Sequence, residues 1–175
     1  IKEEQMARPA SFYGLSKYTA EQYIQLFGTL YELDYTILRY ANVYGMRQNS
    51  HGESGVLAIY IHNLLEERDL IVHGDGEQTR DFVFVKDVAR ANLQALHHGT
   101  REILNVSSNT ETSINQLIGK LNTLFKNRQE AIYREERTAD IKHSRLDNDK
   151  ARRLLQWQPT YSLIAGLKET IENIG

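Results

Sequence analysis

The chain has 175 residues, 41% hydrophobic and 25% charged, with a formal charge of −2, enough for one well-filled core or for one domain and part of another. The absence of cysteine excludes disulfides, thiolate nucleophiles and zinc–thiolate sites, and suits a reducing cytoplasm, the expected compartment. There is no long basic run and no apolar run of membrane-spanning length, so neither nucleic acid nor membrane is an expected partner.

The lead-in Ile1-Lys2-Glu3-Glu4-Gln5 has no secretory apolar core, and its charged approach straight to a chemical motif reads as a piece of a longer protein. Pro9 to Ser11 reads as a turn. From Phe12 to Leu33, Ala20, Tyr23, Ile24, Leu26, Phe27 and Leu30 recur at helical spacing and predict the first helix. That helix carries Ser11-Phe12-Tyr13-Gly14-Leu15-Ser16-Lys17. Residues four apart share a helix face, so the Tyr13 phenol and the Lys17 ammonium enter the same space. A cation beside a phenol favours the ionised form, which makes Tyr13 a candidate general acid/base. Alone, such a pair is more often a tyrosine on a helix flank beside a solvated lysine.

Tyr35-Thr36-Ile37-Leu38-Arg39-Tyr40 is β-branched and aromatic, as expected of a parallel strand covered on both faces. A loop is expected over Ala41 to Gly45, and a polar surface loop from Met46 to Gly55. Val56 to Glu67 is helical, with Leu57, Ile61, Leu64 and Leu65 on the buried side. Ile71-Val72-His73 and Phe82 to Val85 are strands flanking the turn Gly74-Asp75-Gly76. Asp87 to about His98 is a helix buried through Val88, Ala91, Leu93, Ala95 and Leu96. Ile103 to Val106 is a strand, and Ser113 with Gln116 forms a capping box opening a helix to about Phe125. Ala131 to Tyr133 is a weak strand. Asp147 can cap a short helix ending near Leu155, and Ser162 the last one, with its face at Leu163, Leu167, Ile171 and Ile174. Strands alternating with helices argue an α/β class.

Several side chains could serve a ligand. Arg80, between a turn and a strand, can fork onto phosphate oxygens or pair with Asp81 or Glu77 at the surface. Arg137 and Asp140 offer a cation for phosphate and an acceptor for ribose hydroxyls, or a solvated loop. Asn42 lies just past a strand, where open α/β sheets bind ligands, or forms an Asx-type turn. The histidines, among them His51, His97, His98 and His143, show no metal-ligand spacing, so no metal site is expected. No Gly-x-Gly-x-x-Gly or Gly-x-x-Gly-x-x-Gly precedes a helix, so the chain has no helix N-terminus shaped to receive a pyrophosphate.

As an ordered set, Tyr13-Gly14-Leu15-Ser16-Lys17, Leu38-Arg39-Tyr40-Ala41-Asn42-Val43-Tyr44-Gly45, Gly74-Asp75-Gly76-Glu77-Gln78-Thr79-Arg80-Asp81-Phe82-Val83, Asp87-Val88-Ala89-Arg90-Ala91 and Lys150-Ala151-Arg152-Arg153-Leu154-Leu155-Gln156-Trp157 resemble the NAD-dependent sugar-nucleotide epimerase/dehydratases. Within these extended short-chain dehydrogenases, the branch of the UDP-glucose 4-epimerases is nearest. The resemblance implies the C-terminal part of a Rossmann-type parallel sheet plus a small mixed α/β substrate-binding domain. Residues 1–45 would be the remnant of the NAD-binding domain. Residues 46–175 would be mainly the nucleotide-sugar domain, with segments returning to the Rossmann sheet.

It further implies that Tyr13 is the acid/base and that Lys17 holds the nicotinamide ribose, with Tyr40 and Ala41 beside the nicotinamide. Asn42 would touch the UDP-sugar substrate, and Gly55-Val56-Leu57 and Ile71-Val72-His73 would shape the nucleotide pocket. Arg80 and Arg137 would bind the diphosphate, and Asp140 the uridine ribose. The implied reaction removes the C4 hydrogen as hydride to NAD and returns it to the other face of a 4-keto intermediate. A homodimer through the Tyr13/Lys17 helix is expected. Without the glycine-rich half the chain is expected to be inactive alone. A nucleotide-sugar 4,6-dehydratase, a decarboxylase or a non-catalytic nucleotide-sugar-binding module is the alternative. Ala41 stands where an aromatic is common, Met46 where Pro is, Thr138-Ala139 where Pro-Gly is, and Ser107-Ser108 where Gly-Thr is.

Overall fold

A computed structural model describes residues 1–49, 55–126, 129–136 and 141–174. In chain order the elements are α1 (Phe12–Tyr31), β1 (Thr36–Tyr40), β2 (Asn42–Tyr44), α2 (Val56–Leu65), β3 (Leu70–His73), β4 (Thr79–Arg80), β5 (Phe82–Phe84), α3 (Val85–Ala95), β6 (Glu102–Val106), β7 (Thr112–Ser113), α4 (Ile114–Phe125), β8 (Ala131–Arg134), α5 (Asp149–Leu154) and α6 (Leu163–Glu172). β1 pairs with β6, β2 with β5 and β3 with β8, all in parallel, while β4 and β7 are antiparallel. The class is α/β, as the alternation of patterns predicts.

Two apolar clusters form the interior. The first gathers Tyr44, Leu57, Ile61, Leu64, Leu70, Val72, Phe84, Leu117, Leu121 and Leu167, on one face of β3 and β5. The second gathers Val83, Val88, Ala91, Leu104, Val106, Ala151, Leu155 and Trp157 around β6, α3 and α5. Successive side chains of a strand point to opposite faces, so β5 sends Phe82 and Phe84 into one cluster and Val83 into the other. It is the shared wall.

Helix ends follow their local chemistry. The hydroxyls of Ser11 and Ser162 accept the Gly14 and Ala165 amides, and the Ser113/Gln116 capping box closes both ways. At α5 the cap residue is Asn148, one later than expected, although the Asp147 carboxylate still accepts the Asp149 amide at 2.9 Å. The segment after α5 is locked to α3 by Asp87. Its buried carboxylate accepts from the Thr160 amide and hydroxyl, the Tyr161 amide and Arg90, while its carbonyl accepts the Trp157 indole N–H.

Other expectations are corrected. The loop expected at Ala41 to Gly45 contains β2, because Asn42, Val43 and Tyr44 find ladder partners in Phe82, Val83 and Phe84. β5 runs straight into α3, whose helix begins at Val85 rather than Asp87. β1 is less covered than a doubly packed strand: only Ile37 is buried, and among the described residues β6 is its one neighbour. Leu65, Leu93, Leu96 and Ile174 are exposed rather than buried. The stripe Leu57-Ile61-Leu64 sets which face of α2 is inward, and Leu65 falls a hundred degrees off it; Leu93 stands off the Val88-Ala91-Ala95 stripe in the same way. The two-residue strands β4 and β7 had no periodic signal to reveal them.

Asp87→Ala leaves several buried donors without an acceptor. It should lower the urea unfolding free energy by about 3 kcal/mol, read from the fluorescence of Trp157, the chain's one tryptophan. Burial pushes the Tyr44 phenol above its ordinary pKa. A raised folded value means a stabilising contribution present below the unfolded value of about 10 and lost as pH rises through the folded one. Stability should therefore fall above about pH 10, and less steeply in Tyr44→Phe, as urea midpoints across that range would show.

Candidate functional site

Tyr13 and Lys17 lie one turn apart at the start of α1, with the Lys17 ammonium 5.3 Å from the centroid of the Tyr13 ring. The Tyr13 side of the helix is open, its residue 63% exposed, so the phenol is neither turned from the amine nor sealed in a core. α1 is docked on β1 by a forked ion pair: Arg39 Nε and Nη2 donate to the two Glu21 oxygens at 2.9 and 2.7 Å. The hydrogen bond to Glu21 raises the Arg39 pKa further, so the guanidinium stays charged despite partial burial. Sequence reading missed this pair; its signal was an arginine inside an apolar strand, which requires a partner. Along α1, Phe12, Leu15, Tyr23, Leu26, Phe27, Leu30 and Tyr31 are exposed, and Gly28, against the Tyr35 ring, is the helix's one buried residue.

Tyr40 ends β1 with its phenol donating to the Asn92 side chain of α3 at 2.9 Å. Arg39 faces α1, so Tyr40 faces away from it, and the strand end offers α1 its backbone rather than the phenol. Ala41 follows, its amide bonded to the Val106 carbonyl at 3.0 Å. The amide of Asn42 donates to the Asp81 carbonyl at 2.8 Å, and its exposed carboxamide has no hydrogen-bond partner among the described residues.

That bond places Asn42 beside the β4–β5 junction, one residue from Arg80. Arg80 is held by two carbonyls: Nη1 donates to Thr79 at 2.8 Å and to Ile141 at 2.6 Å. Asp81 is not its ion-pair partner. The Asp81 carboxylate is buried and accepts from the Ser108 amide, the Ser108 hydroxyl and the Leu146 amide at 2.9, 2.7 and 3.2 Å. Burial raises the Asp81 pKa, and the hydrogen bonds oppose that rise. The sequence signal for its role was an acid set directly before the apolar run Phe82-Val83-Phe84.

A cleft of about 400 Å³ opens between the turn after β3 and residues 141–143, with His73, Asp75, Gln78, Glu136, Lys142 and His143 on its walls. Ile141, whose carbonyl holds Arg80, is one of those walls. Gln78 closes the turn by donating to the His73 carbonyl at 2.7 Å, and His143 Nδ1 lies 3.2 Å from the Thr79 hydroxyl. Within β3 the Val72 side chain is fully buried, Ile71 is exposed and His73 is half-buried. Gly55 caps α2, Val56 is half-buried, and the Leu57 side chain belongs to the first core, so this segment offers a ligand mainly backbone. Arg137, Asp140 and His51 lie outside the described residues.

The model of the NAD dependent epimerase/dehydratase family matches residues 1–107. The chain is 44% identical over 171 residues to a putative UDP-glucose 4-epimerase of Methanocaldococcus jannaschii, an alignment covering 98% of this chain and 55% of that protein. It is 39% identical to a UDP-glucose 4-epimerase of Mycolicibacterium smegmatis, over 97% of this chain and 55% of the relative. Among solved structures, the Thermotoga maritima UDP-glucose 4-epimerase with UDP-glucose superposes with a TM-score of 0.96 at 42% identity, covering 98% of this chain and 56% of that one. The chain thus spans about half the length of the relatives it matches.

Proposed function

Because this chain belongs to the NAD dependent epimerase/dehydratase family, we propose that it carries the acid/base pair and the nucleotide-sugar site of an enzyme that epimerises C4 of a UDP-sugar. The observation that carries the reading is the Lys17 ammonium over the Tyr13 ring on an open helix start, 5.3 Å away. A phenol and an ammonium side by side fit the ribose end of a nicotinamide nucleotide: one moves a proton, the other donates hydrogen bonds and stabilises negative charge.

Tyr13 takes the proton of the sugar C4 hydroxyl as the C4 hydrogen leaves, and gives it back when hydride returns to the other face of the 4-keto sugar. Lys17 stabilises charge on the phenol oxygen during both transfers and holds the nicotinamide ribose. NAD, when bound, accepts and returns that hydride. Tyr40 and Ala41 border the nicotinamide through their backbone, and Asn42 holds the sugar with its open carboxamide. Arg80, aimed by the Thr79 and Ile141 carbonyls, binds the diphosphate together with Arg137, while Asp140 takes the uridine ribose. Gly55, Val56, Leu57, Ile71, Val72 and His73 shape the nucleotide pocket.

The two apolar clusters support a division in which residues 1–45 belong to the nucleotide layer and 46–175 mainly to the substrate domain, with α3, β6 and α5 returning to the first. The exposed apolar surface of α1 supports a homodimer through that helix. A reducing cytoplasm suits a chain without cysteine.

The sequence holds no Gly-x-Gly-x-x-Gly, so the chain alone should bind UDP but not hold NAD tightly. Mixed with the part of the Methanocaldococcus relative that this chain does not cover, it should interconvert UDP-glucose and UDP-galactose. Tyr13→Phe should then lower kcat by roughly 10²- to 10⁴-fold while leaving the urea midpoint unchanged, because the ring is exposed. Full activity in Tyr13→Phe, followed by coupled assay, would sink the reading.

A further inference from the structure

The turn Gly74-Asp75-Gly76-Glu77 forms a wall of the cleft and is held from outside by one side chain, Asn115 in the first turn of α4. Its Nδ2 donates to the Asp75 carbonyl at 3.0 Å and to Glu77 Oε1 at 2.6 Å, and its Oδ1 accepts the Tyr133 hydroxyl of β8 at 2.9 Å. Both amide protons and a lone pair are thus used. Its backbone amide donates to the Gly76 carbonyl, and the Ile114 amide to the Gln78 carbonyl, so the unsatisfied N–H groups of the helix start also grip the turn. Gly76 is buried at φ +78, and a Cβ there would run into the Asn115 carboxamide, within 2.6 Å of its Cγ. Glycine at 76 leaves the room that the Asn115 carboxamide occupies.

The consequence is electrostatic. Asp75 and Glu136 line the cleft with Lys142, which pairs with Glu136 at 3.8 Å, while Glu77 lines it with Oε1 of its carboxylate taken by Asn115. A diphosphate at Arg80 would be repelled by any carboxylate turned towards it. We propose that Asn115, itself oriented by Tyr133, is a positioning residue that tethers the Glu77 carboxylate on the α4 side of the turn and so keeps the cleft able to accept an anionic nucleotide. This rests on the nucleotide reading of the cleft and adds to it a residue pair outside the binding set.

Titration calorimetry of the 175-residue chain with UDP tests both. Asn115→Ala should weaken UDP binding roughly tenfold, and adding Glu77→Gln should restore it to within about twofold, because the free carboxylate is what repels the ligand. Tyr133→Phe, which removes only the hydroxyl that orients Asn115, should give a smaller loss that Glu77→Gln also restores, and serves if Asn115→Ala does not fold. UDP affinity unchanged in Asn115→Ala, or a loss that Glu77→Gln fails to restore, overturns the tether and leaves the nucleotide reading standing. No UDP binding by the wild-type chain overturns both.

Discussion

The Asp81 carboxylate is the joint on which the site side of the molecule is assembled. It stands between β4 and β5, where two oxygens and a carbonyl receive donors from Ser108, Leu146 and Asn42. Three distant stretches are thereby brought to one point, with Arg80 on one side and the Asn42 carboxamide close by. Burial that raises its pKa also sets its sign: the group favours the fold most when protonated, and that contribution is lost as pH rises through the folded value. The hydrogen bonds to its ionised oxygens offset that cost. An apolar residue there would leave the Ser108 and Leu146 amides without these acceptors, and the loops carrying the proposed substrate contacts would lose their common anchor.

Around that joint the fold separates two tasks. β5 divides the interior, Phe82 and Phe84 facing the layer of α2, α4 and α6, and Val83 facing α3, β6 and α5. The first layer builds the cleft and presents the turn after β3. The second carries, through β1 and the Arg39–Glu21 fork, the helix that displays Tyr13 and Lys17. Asp87 then ties the chain after α5 back to α3, closing the second layer with Trp157 inside it. Both buried carboxylates act through backbone amides, which fixes the path of the chain as well as the packing of its side chains.

Much of this was legible in the residues themselves. Local rules act within a turn or two of chain, so the spacing that puts Lys17 over Tyr13, the serine caps at 113 and 162, and the alternation of strands with helices all emerge from neighbours in sequence. What escaped is non-local. β2 lacked the length and apolar run of a strand and exists because Phe82–Phe84 lies alongside it. Leu65 and Leu93 are as apolar as their buried neighbours, and only the direction from which the core approaches decides which of them is covered.

The linear order of residues determined the α/β class, the serine-capped starts of α4 and α6, the phenol–ammonium pair and the family motifs, because each depends on groups a few bonds or one helical turn apart. The tertiary structure alone decided that Asp81 serves the backbone rather than Arg80, that Tyr40 leans on Asn92, and that Asn115 grips a turn from which it is separated by nearly forty residues. A buried polar group takes the donor or acceptor that folding brings to it, and which one arrives is set by packing across the whole chain.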